Sequence, residues 1–267
     1  MLKVAFFSAV TLVIHGFWQG HAFAGPIDIS TPTGLQAGSQ FRIIFVTPGT
    51  TNATSSDIST YDTFVNQQAA GATYNGQMIH WSAIGSTDSV GASAHIGVTG
   101  AAVYTVSGTN GTNLTEVASS DSTSGLWSGN NLINQPTTDL AGNPYTGLAW
   151  TGTSGVGTEY YTDVGGGVMK YWGLGSSVSY PGFDNHIEVG SMNSVVYPSD
   201  WVSLGNSNGL QLNTVSYQMY GISDLLTVSG ASAVPEPSTL LVSGLGIFVV
   251  ALARNLRKRN EFSPTEI

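Results

Sequence analysis

The 267-residue sequence contains no cysteine, so neither disulfides nor thiolate chemistry is open to it. Positive charge is nearly as scarce, with seven Lys and Arg against 16 Asp and Glu. All but two of those bases lie near the ends. Between residues 25 and 234 only Arg42 and Lys170 stand against 13 acids, a formal charge of −11. Such a surface repels nucleic acid and anionic lipid and excludes a phosphate-backbone partner. Motifs of common hydrolytic chemistry are missing too: there is no Gly-x-Ser-x-Gly elbow and no zinc-protease helix. Gly165-Gly166-Gly167 follows Asp163, but without a Lys-Ser/Thr ending it makes no phosphate loop. Fixed-period repeats and evenly spaced Thr-x-Thr ledges are also lacking.

Long apolar runs occur only at the two ends. Met1-Leu2-Lys3 gives a small positive region, residues 4–14 are apolar, and Ala22-Phe23-Ala24 puts small residues at the two positions that signal peptidase reads. Cleavage after Ala24 is expected, which makes residues 1–24 a signal peptide and removes His15 and His21. At the other end, Val234-Pro235-Glu236-Pro237-Ser238 precedes an apolar run over residues 239–253, followed by Arg254, Arg257, Lys258 and Arg259. The prolines stop any helix from reaching back into the body. Those apolar residues rise only about 22 Å as a helix, against a hydrocarbon core of roughly 30 Å, so a span here draws on Asn255, Leu256 and snorkelling arginines. The basic cluster acts as a membrane stop, prefers the cytoplasmic side and leaves residues 261–267 as a cytoplasmic tail.

This end resembles the PEP-CTERM sorting signal of Gram-negative bacteria in the order of motif, apolar helix and basic cluster, over residues 234–260. The resemblance implies a motif read through Pro235, Glu236 and Pro237 by an exosortase, a membrane transpeptidase-like enzyme. It also implies an inner-membrane precursor whose body is released to the cell surface or an exopolysaccharide matrix. Glu236 is the lone acid between Val234 and Arg259, so a basic pocket can read it as a point charge. The same signature occurs on some ice-binding proteins and does not define a function by itself.

The intervening body, residues 25–233, is long enough for one domain with a sizeable core. Gly, Ser, Thr and Asn separate short apolar runs, the composition of strands joined by turns. Residues 41–46 read as a strand, apolar on both faces apart from Arg42, ending at Pro48-Gly49. Thr54-Ser55-Ser56-Asp57 is a capping-box start, and Ile58, Tyr61, Phe64, Val65 and Gln68 follow a helical stripe up to Gly71. Residues 101–106 and 114–118 read as hairpin arms around Asn110-Gly111, which favours a primed turn. Further strands are expected at 148–151, 168–172, 187–189, 210–215 and 225–228, with a long ordered loop region over 119–145. The result is an α+β, β-rich single domain with one main helix and long loops.

Three segments of the body, residues 41–61, Trp81 to Thr87 and Ala149 to Thr153, resemble a domain found in PEP-CTERM proteins. Their order is also similar to the C-type lectin-like and endostatin pattern. That resemblance covers about residues 30–229 and implies that the first and last strands lie together, with residues 41–46 near 217–228.

Chemistry candidates are few. Asp184-Asn185-His186-Ile187-Glu188 places three potential ligands at alternate positions of a strand, a spacing a divalent metal can use and any solvent-facing strand can also show. Gln135-Pro136-Thr137 with Asp139 and Asp184-Asn185 partly resembles the Ca²⁺ loops of sugar-binding lectins, though the third ligand is missing; a cis-proline turn or a plain loop is the favoured reading. Glu159 and Asp163 are carboxylates that could serve glycoside hydrolysis if the fold brings them about 5–10 Å apart, and any acidic surface supplies such pairs. Of the body tryptophans, Trp81 and Trp150 read as core anchors, while Trp127, in the loop-rich stretch, is the candidate sugar contact. The expectation is an exported, exosortase-processed, non-enzymatic surface protein associated with extracellular polysaccharide, with no obligate cofactor and Ca²⁺ as the one candidate ion. An ice- or surface-binding protein and a secreted glycan-active enzyme are the alternatives.

Overall fold

Six successive apolar or guanidinium side chains in one strand need partners on both faces, and the first strand has them. The computed structural model describes residues 27–230 except 70, 130–131, 166, 194–197 and 206–208. In chain order its elements begin β1 (Gln40–Val46), α1 (Ile58–Gln68), β2 (Thr73–Tyr74), β3 (Gln77–Met78), β4 (Trp81–Ala83) and α2 (Ala92–Ile96). They continue with β5 (Ala102–Val106), β6 (Leu114–Ala118), β7 (Leu148–Trp150), β8 (Tyr161–Asp163) and β9 (Met169–Tyr171). The last are β10 (His186–Ser191), β11 (Leu210–Leu212), β12 (Gln218–Ser223) and β13 (Leu226–Thr227).

One nine-stranded sheet dominates, running β11-β10-β7-β12-β1-β5-β6, with β13 on β1 and β4 on β12. β1 pairs antiparallel with β12 and β13 and parallel with β5, so the first and last strands are neighbours. β2–β3 and β8–β9 form separate two-stranded hairpins. Among the described residues no helix is long and apolar enough to cross a membrane; the expected span at 239–253 lies outside them.

The period-two alternation of β1 divides the interior in two. Phe41, Ile43 and Phe45 point into a core shared with Tyr61 and Val65 of α1 and with Trp81 and Trp150. Ile44 and Val46 point into a second core with Trp127, Trp201, Tyr220 and Ile222. The helix covers the first face, and its side chains also complete the edge of β4. Trp81 N donates to Asn66 Oδ1 at 3.1 Å, and Ala83 N donates to Asp62 Oδ1 at 2.8 Å. Two amides that face away from β12 are thereby satisfied without another strand.

Arg42 falls by the same alternation on the side of the second core, where it is 5% exposed. Its Nε donates to Asp121 Oδ2 at 2.9 Å, Nη1 to Ser223 O at 2.9 Å and Nη2 to Gly97 O at 2.8 Å. Asp121, fully buried, also accepts from the amides of Thr99 and Gly100 and from the Thr99 hydroxyl. One guanidinium thus ties the end of β12, the exit of α2 and the loop after β6.

Several local expectations shift. The helix is capped by Asp57, whose Oδ1 accepts from Ser59 N at 3.0 Å, while Thr54 bonds Asn52 instead. A single carboxylate two residues from the donor outcompetes the wider box. Between β5 and β6 the connection is a 3₁₀ turn, Thr109–Gly111, in which only Gly111 takes a left-handed φ of 74°, in place of the primed two-residue turn. The described parts of the loop region 119–145 are held by backbone bonds within the loop and to β6, such as Leu126 N to Ser120 O at 2.8 Å and Ile133 N to Val117 O at 2.8 Å.

Gly221 marks the tightest contact of β12. A Cβ there would lie 2.3 Å from the Phe45 ring and 2.5 Å from a Val65 methyl, so the helix sits on the sheet only because this residue has no side chain. Gly221→Ala is expected to cost about 1–3 kcal/mol by overpacking. Asp121→Ala is expected to cost about 3–5 kcal/mol, because it strands a buried guanidinium. Denaturant titration of the purified body checks both. An effect under a few tenths of a kcal/mol for Asp121→Ala would show that the pair carries no weight.

Candidate functional site

All five body tryptophans are buried: Trp81, Trp127, Trp150, Trp172 and Trp201 are each no more than 2% exposed. For Trp81 and Trp150 this is the expected core placement. For Trp127 it overturns the expected sugar contact. Its ring lies against Trp201 with centroids 5.8 Å apart, and Trp201 lies against Tyr220 at 5.3 Å. A ring with no accessible face cannot stack on a ligand. The Ser- and Gly-rich sequence around it reflects turn formation: the hydroxyls of Ser120, Ser122 and Ser124 hydrogen-bond in series, and Trp127 N donates to Ser122 O at 3.1 Å.

Exposed aromatic surface instead gathers on the β8–β9 hairpin. Tyr161 and Tyr171 are directly opposed across the two strands, with Asp163 opposite Met169 on the same side. The tyrosines are 50% and 46% exposed, and their ring centroids are 5.9 Å apart at 50°. Met169, 37% exposed, extends this open apolar strip. On the other side of the hairpin, the Trp172 indole donates to Thr162 Oγ1 at 3.1 Å and packs edge-on against Phe183, which in turn meets Tyr180 and His186. Burial of Trp172 therefore fixes which face of the hairpin turns outward. Asp163 Oδ1 accepts from Gly165 N at 2.8 Å, which holds the turn. The sequence signal for this site was the alternation of Tyr161-Thr162-Asp163 and Met169-Lys170-Tyr171, a polar-apolar rhythm without tryptophan.

The two carboxylates of the expected pair have different surroundings. Asp163 lies on the hairpin, whereas Glu159 hydrogen-bonds to Asp88 and accepts from Gly173 N at 3.2 Å. Burial, then the Asp88 carboxylate, push the Glu159 carboxyl up to about 8. Both glycoside-hydrolysis geometries need two carboxyls about 5–10 Å apart, with room for a sugar or a water.

The alternating segment at Asp184 does not form a ligand set either. Asn185 adopts a left-handed φ of 56°, which breaks the strand before His186. Asp184 Oδ1 accepts from Ser179 Oγ and Tyr180 N, and His186 Nδ1 meets the Asp184 carbonyl at 2.9 Å. Glu188 points inward, where Oε1 accepts from Ser203 Oγ at 3.0 Å and Gly205 N at 2.8 Å. Asp139 is likewise saturated by Ala141 N, Asn143 and the Tyr145 hydroxyl. Among the described residues no group of three His, Asp or Glu side chains is arranged to hold a metal. Of the other histidines, His95 Nε2 meets Asp62 Oδ1 at 2.9 Å and His80 is exposed.

Ala22, Ala24, Pro235, Glu236, Pro237, Arg254, Arg257, Lys258 and Arg259 lie outside the described residues. The comparisons with known proteins bear on the C-terminal group. Residues 233–258 match the PEP-CTERM protein-sorting motif, so the chain carries this sorting signal. The match implies an exported, membrane-anchored precursor processed by an exosortase. No curated protein matches the chain.

Burial raises the Glu188 carboxyl from 4.5 to about 8, and its hydrogen bonds from Ser203 and Gly205 offset only part of that. A carboxyl whose folded pKa is raised stabilises most below its unfolded pKa, and that contribution is lost as pH rises towards the folded value. The denaturation midpoint is therefore expected to fall between about pH 4.5 and 8. Glu188→Gln should flatten that slope in urea titrations. An unchanged slope in the variant would mean that Glu188 is ionised in the folded state.

Proposed function

We propose that the body, residues 25–233, is a non-enzymatic surface module. After exosortase processing it associates with extracellular polysaccharide through the outer face of the β8–β9 hairpin. The observation that carries this reading is the opposed tyrosine pair, Tyr161 and Tyr171, half-exposed on a hairpin braced from behind by Trp172. Sugar C–H groups meet such rings favourably, while the phenol hydroxyls and the neighbouring Asp163 can exchange hydrogen bonds with sugar hydroxyls. With a body charge of −11, a neutral glycan is favoured over an acidic one.

The body architecture is read as C-type lectin-like. Support comes from β12 and β13 closing on β1, a single long helix on one sheet face, and extended loops between β6 and β7. Sugar binding is placed on the hairpin, without Ca²⁺. Catalysis on glycans is the weaker reading, because Glu159 is engaged with Asp88 and Glu188 is sealed inside. Ice binding has less support still: Thr47, Thr87, Thr105, Thr151 and Thr153 are all buried. The final location assigned to the released body is the cell surface or the extracellular matrix. Signal peptidase, the exosortase and, transiently, the inner membrane are its partners on the way.

Binding of the purified body to exopolysaccharide from its own host, and to a panel of neutral glycans, tests the reading. Each of Tyr161→Ala and Tyr171→Ala is expected to weaken binding about tenfold, or about 1.4 kcal/mol. Added salt and chelator should have little effect. Full binding by the double variant, or binding abolished by chelation, would overturn the assignment.

A further inference from the structure

The described body ends in a tightly held strand. Val228 N donates to Ser39 O at 2.9 Å, Gly38 N donates to Val228 O at 2.9 Å, and Asn75 Nδ2 donates to Ser229 Oγ at 2.9 Å. The chain is thus fixed through Ser229, between the loop before β1 and the β2–β3 turn. Pro235, the first proline of the sorting signal, is only six residues further on. Whatever conformation those residues adopt, they span at most about 20 Å. An enzyme that grips Pro235 to Pro237 must come within that distance of the strand end, so its rim meets the folded body.

We infer that this end of the body, built from the loop at Gln36, the β2–β3 turn at Asn75 and the tail of β13, is the docking face for the processing exosortase. The inference rests on the exosortase reading above and adds the surface of the folded body to the motif as part of what the enzyme meets. The chemistry of the face favours protein over lipid. Gln36, Asn75, Gln77 and Ser229 are exposed and uncharged, and no Lys or Arg stands among them to hold anionic headgroups. Met78, 72% exposed beside Gln77, supplies an apolar contact of the adaptable kind common at protein interfaces. The turn itself is rigidly shaped, with Asn75 and Gly76 both in the left-handed region at φ 52° and 74°. The partner that fits is a neutral, hydrogen-bonding rim around a membrane-embedded active site.

Photo-crosslinking in host membranes, with the full precursor and its exosortase, tests this. A benzoylphenylalanine replaces Asn75 or, as the control, exposed Leu212 on β11, the edge strand four positions across the sheet from β1. Adduct to the exosortase is expected from position 75 and not from 212. A Gly/Ser spacer of about 20 residues after Gly230 should cut the adduct about tenfold through lower effective concentration, while cleavage continues. Cleaved product with no exosortase adduct at 75, equal adducts at both positions, or adduct to lipid alone would overturn the docking face and leave the exosortase reading standing. Absence of any cleaved product from the unmodified precursor would sink that reading, and the docking face with it.

Discussion

The second core is organised around a charge that the central strand could not avoid burying. β1 lies between β12 and β5, so each of its side chains enters one core or the other, and Arg42 shares the side of Ile44 and Val46. A lone guanidinium there would be prohibitive. The chain answers with three distant acceptors: Asp121 from the loop after β6, the Ser223 carbonyl that ends β12, and the Gly97 carbonyl that ends α2. In a protein without cysteine, this hub does what a cross-link does elsewhere, fixing segments far apart in sequence. Because Asp121 is pinned, the loop that follows lies across the sheet, and Leu126 and Trp127 fill the space above Ile44 and Val46.

That consequence bears on where aromatic surface is left exposed. Once the loop after β6 serves as the lid of a core, its aromatics are spent on packing. Among the described residues, the most exposed aromatic rings stand on the β8–β9 hairpin, which makes no strand pairing with the main sheet. The hairpin is held by Trp172 and by the Tyr160 and Trp172 backbone bonds to each other and to Gly152 and Glu188. A small braced hairpin can tolerate exposed apolar side chains because they are not needed for the fold.

Much of the scaffold was legible in the sequence, for physical reasons that also mark its limits. The run at 41–46 and the stripe from Ile58 to Gln68 are strong periodic signals, and the structure has β1 and α1 there. The strands at β5 and β6 were equally plain, though the turn between them was not, because the connection runs over residues 107–113, long enough for a 3₁₀ turn at Thr109–Gly111 in place of a two-residue primed turn. β12 was visible only as part of a closing region: Gly221 at its centre reads as a breaker, and its purpose, room for Phe45 and Val65, exists only in three dimensions. The site was least legible. Trp127 looked like a loop residue free to bind, and nothing local reveals that Asp121 draws its loop inward. Asp184 to Glu188 looked like one polar face, but the left-handed Asn185 turns that run and Glu188 faces the interior.

The acidic, cysteine-free body and the sorting signal at 233–258 fit an exported, membrane-anchored precursor processed by an exosortase. The fold contributes a domain whose chain is held through Ser229, six residues before Pro235. The most direct measurement is the intact mass of the protein recovered from the cell exterior. The account predicts a species that begins at Gly25 and ends near the Pro235 to Pro237 motif, without Arg254 to Arg259. A species that retains the basic C-terminus, or recovery of the chain only from the cytoplasm, would contradict it.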